Sequence, residues 1–188
     1  MRRLILVLKV AAVVAAMLAL SGLASAKTQA TATAAIIDAQ GEVIGEAKLT
    51  QLNDNKVKVY AKAAGLEPGK HGIHFHSAGL CEPPAFASAG AHFNPESAKH
   101  GLHNPEGSHA GDLPNLKVRK SGVGVLRGKT DRVSLLPGPK SLFDADSSAL
   151  VVHAAKDDQV TDPTGNSGAR IACGVIEPAP EVSSEQQG

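Results

Sequence analysis

The sequence predicts an all-β protein in which eight or so short strands form one small sandwich or Greek-key barrel. Three observations carry this reading. Apolar and polar residues alternate with period two in short runs, and turn formers separate the runs. No stretch shows a convincing amphipathic helical period. With no Trp, one Tyr and four Phe, the core must be filled by aliphatic side chains, and the chain is long enough for one domain with an adequate core.

In chain order, Arg2 and Arg3 precede an apolar run from Leu4 to Leu20, and Ala24-Ser25-Ala26 supplies small residues for a signal peptidase. Residues 1–26 therefore read as a secretory signal peptide, with an uncleaved membrane anchor as the competing reading. Strands are expected over Thr31–Ile37, Val43–Leu52 and Lys56–Ala61, punctuated by Gly41 and by Asn53-Asp54-Asn55. Further strands are expected over Gly72–His76, Val123–Leu126, Arg132–Leu136, Ala149–Ala154 and Ala169–Ile176. Between them, Ser77–Asn115 is rich in Gly, Pro, Ser and His and lacks strand periodicity. A loop of that length needs a metal or a disulfide to order it. Residues 178–188 are mostly polar and read as a flexible tail, leaving residues 27–177 as the folded domain.

The two cysteines, Cys81 and Cys173, are read as one disulfide in a secreted chain, with free thiols ligating metal as the alternative. Closing so long a loop removes roughly 4–5 kcal/mol of denatured-state entropy in the chain-entropy model. Without Arg2, Arg3 and Lys9, the formal net charge of +1 becomes −2, which gives no support for nucleic-acid binding.

Seven of the eight histidines fall between His71 and His109. Neutral imidazole suits borderline cations such as zinc and copper, and carboxylates add a charge-compensating oxygen, so this density, with Asp112 beside it, points to a metal site and to two rather than one. Strand alternation places His74 and His76 on one face and His71 with Ile73 and Phe75 on the other. His71 therefore reads as a buried histidine bonded to backbone.

The segments HGIHFH (71–76), AHFNP (91–95), KHG (99–101), HAGDLPN (109–115), LVVHAAKDD (150–158) and GNSGARIACGVI (165–176) resemble the copper/zinc superoxide dismutases. TDPTGNSGAR and the short interval from His76 to Cys81 resemble the bacterial, secreted branch. The resemblance implies an eight-stranded Greek-key β-barrel of immunoglobulin-like sandwich architecture with long metal-binding loops. It implies one copper and one zinc ion per subunit. His74, His76, His92 and His153 match the copper ligands; His92, His100, His109 and Asp112 match the zinc ligands, with His92 bridging. Asp157 matches a carboxylate linking His74 and His100 outside the ligand shell. Arg170 matches the arginine that attracts the anion beside the copper. His103 is left over and reads as solvated or as a neighbour of the ligands. The implied activity is conversion of superoxide to oxygen and hydrogen peroxide by copper redox cycling, with His92 carrying a proton. The implied location is the periplasm or another extracytoplasmic space, with the membrane met only during secretion.

Two departures from the family matter. The His153–Arg170 segment is short and holds one lysine, Lys156, so the family's usual basic rim is not carried over to this chain. Lys99, Lys117 and Arg119 are the candidates to replace it. The Cys81–His92 interval differs from the animal pattern, so the chain is expected either to form a homodimer through another surface or to remain monomeric. Two rival readings are a non-enzymatic metal-binding or copper-delivery protein and a zinc-stabilised extracellular interaction domain.

Overall fold

The computed structural model describes residues 29–180. The expected signal peptide and residues 181–188 lie outside the described residues. Ten strands follow in order: β1 Thr31–Asp38, β2 Val43–Gln51, β3 Val57–Ala63, β4 Gly69–His71, β5 Ile73–His76, β6 Leu116–Val118, β7 Gly124–Thr130, β8 Ala149–His153, β9 Arg170–Val175 and β10 Glu177–Pro178. They pair antiparallel in the order β4-β6-β7-β3-β2-β1-β9-β8-β5, with β10 extending the contact to β1. Only Gly72 separates β4 from β5, so the two ends of this order meet and the barrel is nearly closed. With β4 and β5 taken as one bent strand and β10 as the continuation of β9, the strands number eight, as the sequence predicts.

The first three strands fall where alternation places them. Their buried positions, Ala32, Ala34 and Ile36, then Ala47 and Leu49, then Val57, Val59, Ala61 and Ala63, line an aliphatic interior completed by Ile73, Phe75, Leu150 and Val152. Each fully buried Leu, Ile or Val contributes about 1.5–3 kcal/mol. The expected strand Arg132–Leu136 does not form. Val133 and Leu135 are buried in alternation, but the Leu135 amide donates to the Gln51 side-chain oxygen (2.9 Å) instead of to a neighbouring strand. Alternation there reports burial without ladder pairing. Pro178, placed in the tail by the sequence, instead pairs with Ala32.

The Ser77–Asn115 loop is ordered against the barrel. Phe86 and Ala89 pack on Ala149, Val151 and Cys173, covering the outside of β8 and β9, which is why β8 is buried on both faces. The Cys81–Cys173 disulfide pins the same contact, with Cα atoms 5.6 Å apart.

Candidate metal centre

Strand β5 would be an open edge, and the long loop covers it. Phe75 and Gly111 bond through amide and carbonyl (2.9 Å), Phe93 donates to Phe75 (2.8 Å), and Gly111 donates to Phe93 (2.8 Å). This pairing sets His92 opposite His76 and Asp112 opposite His74. Gly111 is required at the crossing, because a Cβ there would lie 2.3 Å from the Phe75 carbonyl oxygen.

Two compact four-residue groups result, each with its ligand atoms within 4.8 Å of one another: His74, His76, His92 and His153, and His92, His100, His109 and Asp112; His74, His100 and Asp157 form a third, smaller group. All seven residues of the first two are buried. His92 belongs to both. Its Nδ1 faces Asp112 Oδ1 (3.3 Å) and His109 Nδ1 (3.4 Å), whereas its buried Nε2 has no hydrogen-bond partner.

The outward nitrogens decide which way each ring presents its lone pair. His74 Nε2 donates to Asp157 Oδ2 (2.7 Å), and His100 Nε2 donates to Asp157 Oδ1 (3.1 Å). His76 Nδ1 donates to the Gly90 carbonyl (3.0 Å), and His153 Nδ1 donates to that of Gly168 (3.1 Å). The opposite nitrogens therefore point inward, and those of His74, His76 and His153 do so as bases. Those of His74 (Nδ1) and His92 (Nε2) are buried without hydrogen-bond partners, whereas His100 Nδ1 lies 3.0 Å from Asp112 Oδ1. Buried orphaned acceptors converging in this way fit cations better than they fit a closed protein interior.

Protonation agrees with that donor set. Burial, reinforced by the charges of His92 and His153, lowers the His74 pKa to about 3. Burial, with His92 and Arg170, lowers that of His153 to about 4. His76 and His92 are also lowered, chiefly by burial. Before metal binding, this half of the centre holds neutral imidazoles with no proton to displace. Burial also acts against charge on His100, but hydrogen bonds to Asp112 and Asp157 win and raise its pKa to about 9. Burial likewise disfavours charge on Asp112, but bonds from His100, His109, His92 and the Gly101 amide hold it well below the usual carboxylate range. Zinc-type chemistry suits this half: three imidazoles and a carboxylate whose charge is already fixed.

Each residue that the sequence singled out finds a definite place. His71 is buried, its ring nitrogens 2.8 Å from the carbonyl oxygens of His153 and Glu67, so it braces the backbone of one cluster member. Arg170 is half-buried and donates to the carbonyls of Phe86 (2.6 Å) and Gly90 (2.5 Å). Gly90 therefore accepts from both Arg170 and His76. An open pocket over the first cluster is lined by His76, His92, His153, Asn94, Thr164 and Arg170 among others. Arg170 is the one Lys or Arg lining it among the described residues. Lys99 pairs with Asp162 instead (3.4 Å), Lys117 lies on the outer sheet face, and neither Arg119 nor Lys156 reaches the mouth. His103 is exposed and belongs to neither cluster.

Sequence reasoning missed the supports of these residues. Asn115 clamps Asp157, donating to its carbonyl (2.9 Å) and accepting from its amide (2.8 Å). Asp162 accepts the His100 amide (2.7 Å), and Arg132 donates to the Asp112 carbonyl (2.8 Å). Gly165, at φ +62°, leaves room that a Cβ would take from Asp157 and from His100 Nε2.

A family model described as copper/zinc superoxide dismutase (SODC) matches residues 43–176. The chain belongs to the copper/zinc superoxide dismutase family. It is 47% identical over 147 residues to superoxide dismutase Cu-Zn 2 of Aquifex aeolicus, covering 77% of this chain and 85% of that one. It is 41% identical over 144 residues to the superoxide dismutase-like protein YojM of Bacillus subtilis, covering 75% and 73%. The crystal structure of a SOD-like protein from Bacillus subtilis superposes with a TM-score of 0.73 at 38% identity, covering 76% of this chain and 95% of that one. Copper and zinc are this family's metals, and its enzymes are oxidoreductases acting on superoxide.

Proposed function

We propose that the protein dismutates superoxide outside the cytoplasm, with copper held by His74, His76, His92 and His153 and zinc by His92, His100, His109 and Asp112. The observation that carries this assignment is the placing of the two His92 nitrogens, one in each cluster. Copper, when bound, supplies one-electron redox chemistry, and zinc supplies a fixed positive charge. His92 Nε2 is the base that takes and releases the proton, and Nδ1, committed to the zinc side, fixes the ring while it does so. Arg170, held by Phe86 and Gly90, presents a cation at the mouth and draws the anion in. Asp157 orients His74 and His100 together, so the two half-sites share one rigid carboxylate.

The disulfide and the apolar N-terminal run support an extracytoplasmic location, with residues 1–26 as its export signal. The test is metal analysis and electron spin resonance of the isolated protein, together with a superoxide assay before and after copper removal. One copper and one zinc per chain, with activity dependent on copper, is the expected result; full turnover without copper overturns it. The similarity to a protein named only dismutase-like keeps a second reading, non-enzymatic metal binding, in view. Copper-loaded protein without superoxide turnover would favour it.

A further inference from the structure

The outer surface of the barrel, centred on the strands across from the metal centre, carries a basic face that the dismutase reaction does not use. Along the outer surface of β4, β6, β7, β3 and β2 lie Lys70, Lys117, Arg127, Lys129, Lys58, Lys62 and Lys48, all exposed. The only acid among them is Glu46, at one margin opposite Lys62. Seven of the fifteen Lys and Arg in residues 29–180 are thus gathered against one of the sixteen Asp and Glu. Charge is segregated, although the whole chain is close to neutral.

This arrangement costs stability. Lys58 faces Lys129 and Lys70 faces Lys117 directly across the ladder, and like charges in register repel. Among the described residues none of the seven takes part in an ion pair. Tyr60, the chain's single tyrosine, sits half-buried at the centre between Lys48 and Arg127, with the Arg127 guanidinium 5.1 Å from its ring centroid.

We propose that this face docks the protein on an anionic lipid bilayer. The patch is broad in two dimensions, five strands or about 19 Å across, and its cations spread well beyond the open depression at its centre, which Lys48, Lys58, Tyr60, Arg127 and Lys129 line. Six of its seven cations are lysines, long flexible point charges suited to a plane of headgroups rather than to bidentate recognition of one phosphate. A single amphipathic aromatic ring suits the headgroup level but is too little for a run of stacked bases. The centre of the face, on β7, β3 and β2, lies across the barrel from β5 and β8, so docking there leaves the mouth open to solution.

The test is co-sedimentation of the metal-loaded protein, as purified, with phosphatidylglycerol or phosphatidylcholine vesicles at low and high salt. Stronger binding to phosphatidylglycerol that salt releases is expected. Lys58→Glu should weaken that preference on the order of tenfold, and Lys156→Glu, the same charge change away from the face, should leave it intact. Dismutase activity should be unchanged in K58E, which certifies its fold. Equal binding to the two lipids, equal loss in K58E and K156E, or capture by dextran sulfate or duplex DNA but not by vesicles would each overturn the proposal.

Discussion

The β5–β8 wall and the β2–β3–β7 wall are built from the same antiparallel ladder, yet they treat charge in opposite ways. On the first, buried polar groups are matched: four outward imidazole nitrogens have an acceptor, and the unmatched inward ones converge. On the second, cations stand exposed and unpaired across from one another. The difference shows where the fold is committed. Burial makes each bond of the first wall indispensable to the next, whereas water screens the second, so it tolerates change.

The largest expected effect breaks the first wall at its centre. His76→Ala removes one nitrogen of the four-histidine cluster and leaves Gly90 with Arg170 alone. Dismutase activity should vanish while the barrel stays folded, as circular dichroism would verify. Substantial activity in this variant would contradict the ligand assignment.

Next in size are the supports. Asp157→Asn keeps the shape but loses an acceptor, so His74 and His100 cannot both be held; metal affinity at both clusters should fall about 10–100-fold, read by competition with a chelator. Gly165→Ala should do the same by crowding Asp157. An effect on one metal only would show that Asp157 does not couple the clusters.

Replacing both cysteines, Cys81→Ser with Cys173→Ser, should cost about 2–5 kcal/mol in denaturant unfolding. The loss should fall on the covering loop, because the bond ties Ser77–Asn115 to β9 and holds the carbonyls that Arg170 uses. Faster proteolysis of that loop, with the barrel strands intact, is the readout. Uniform destabilisation without loop cleavage would argue against this local role.

How much of this was legible in the sequence depends on whether the signal is periodic. β1, β2 and β3 were readable nearly to the residue because each is long enough to alternate against one core. β4 and β6, of three residues each, carry no period and were missed. Arg132–Leu136 had the period without the partner strand, since Gln51 takes its place. The two histidine clusters were legible from residue type and from resemblance. Asn115, Asp162 and Arg132 were not, because their roles depend on backbone groups that only the fold brings near. Net charge hid the basic face for a related reason: a sum over the chain erases the side of the barrel on which each charge lies.

The smallest effect expected of the buried wall is its response to pH without metal. The pKa values of His74 and His153 drop on folding from an ordinary 6.5 to about 3 and about 4, so below pH 6.5 the unfolded chain takes up protons first. Stability should therefore fall as pH drops from about 6.5 to 4. His100 runs the other way: its pKa is raised to about 9, so its contribution is complete below 6.5 and is lost as pH rises through 9. The metal-free protein should be most stable near neutrality, with a melting temperature several degrees lower at either extreme. Bound metal raises stability overall but steepens the acid limb, because protons compete with it for every ligand. Calorimetry from pH 4 to 9.5, with and without metal, checks both limbs. A flat profile in the metal-free protein would mean that the histidines are not buried as neutral bases, and the contrast between the two walls would lose its physical ground.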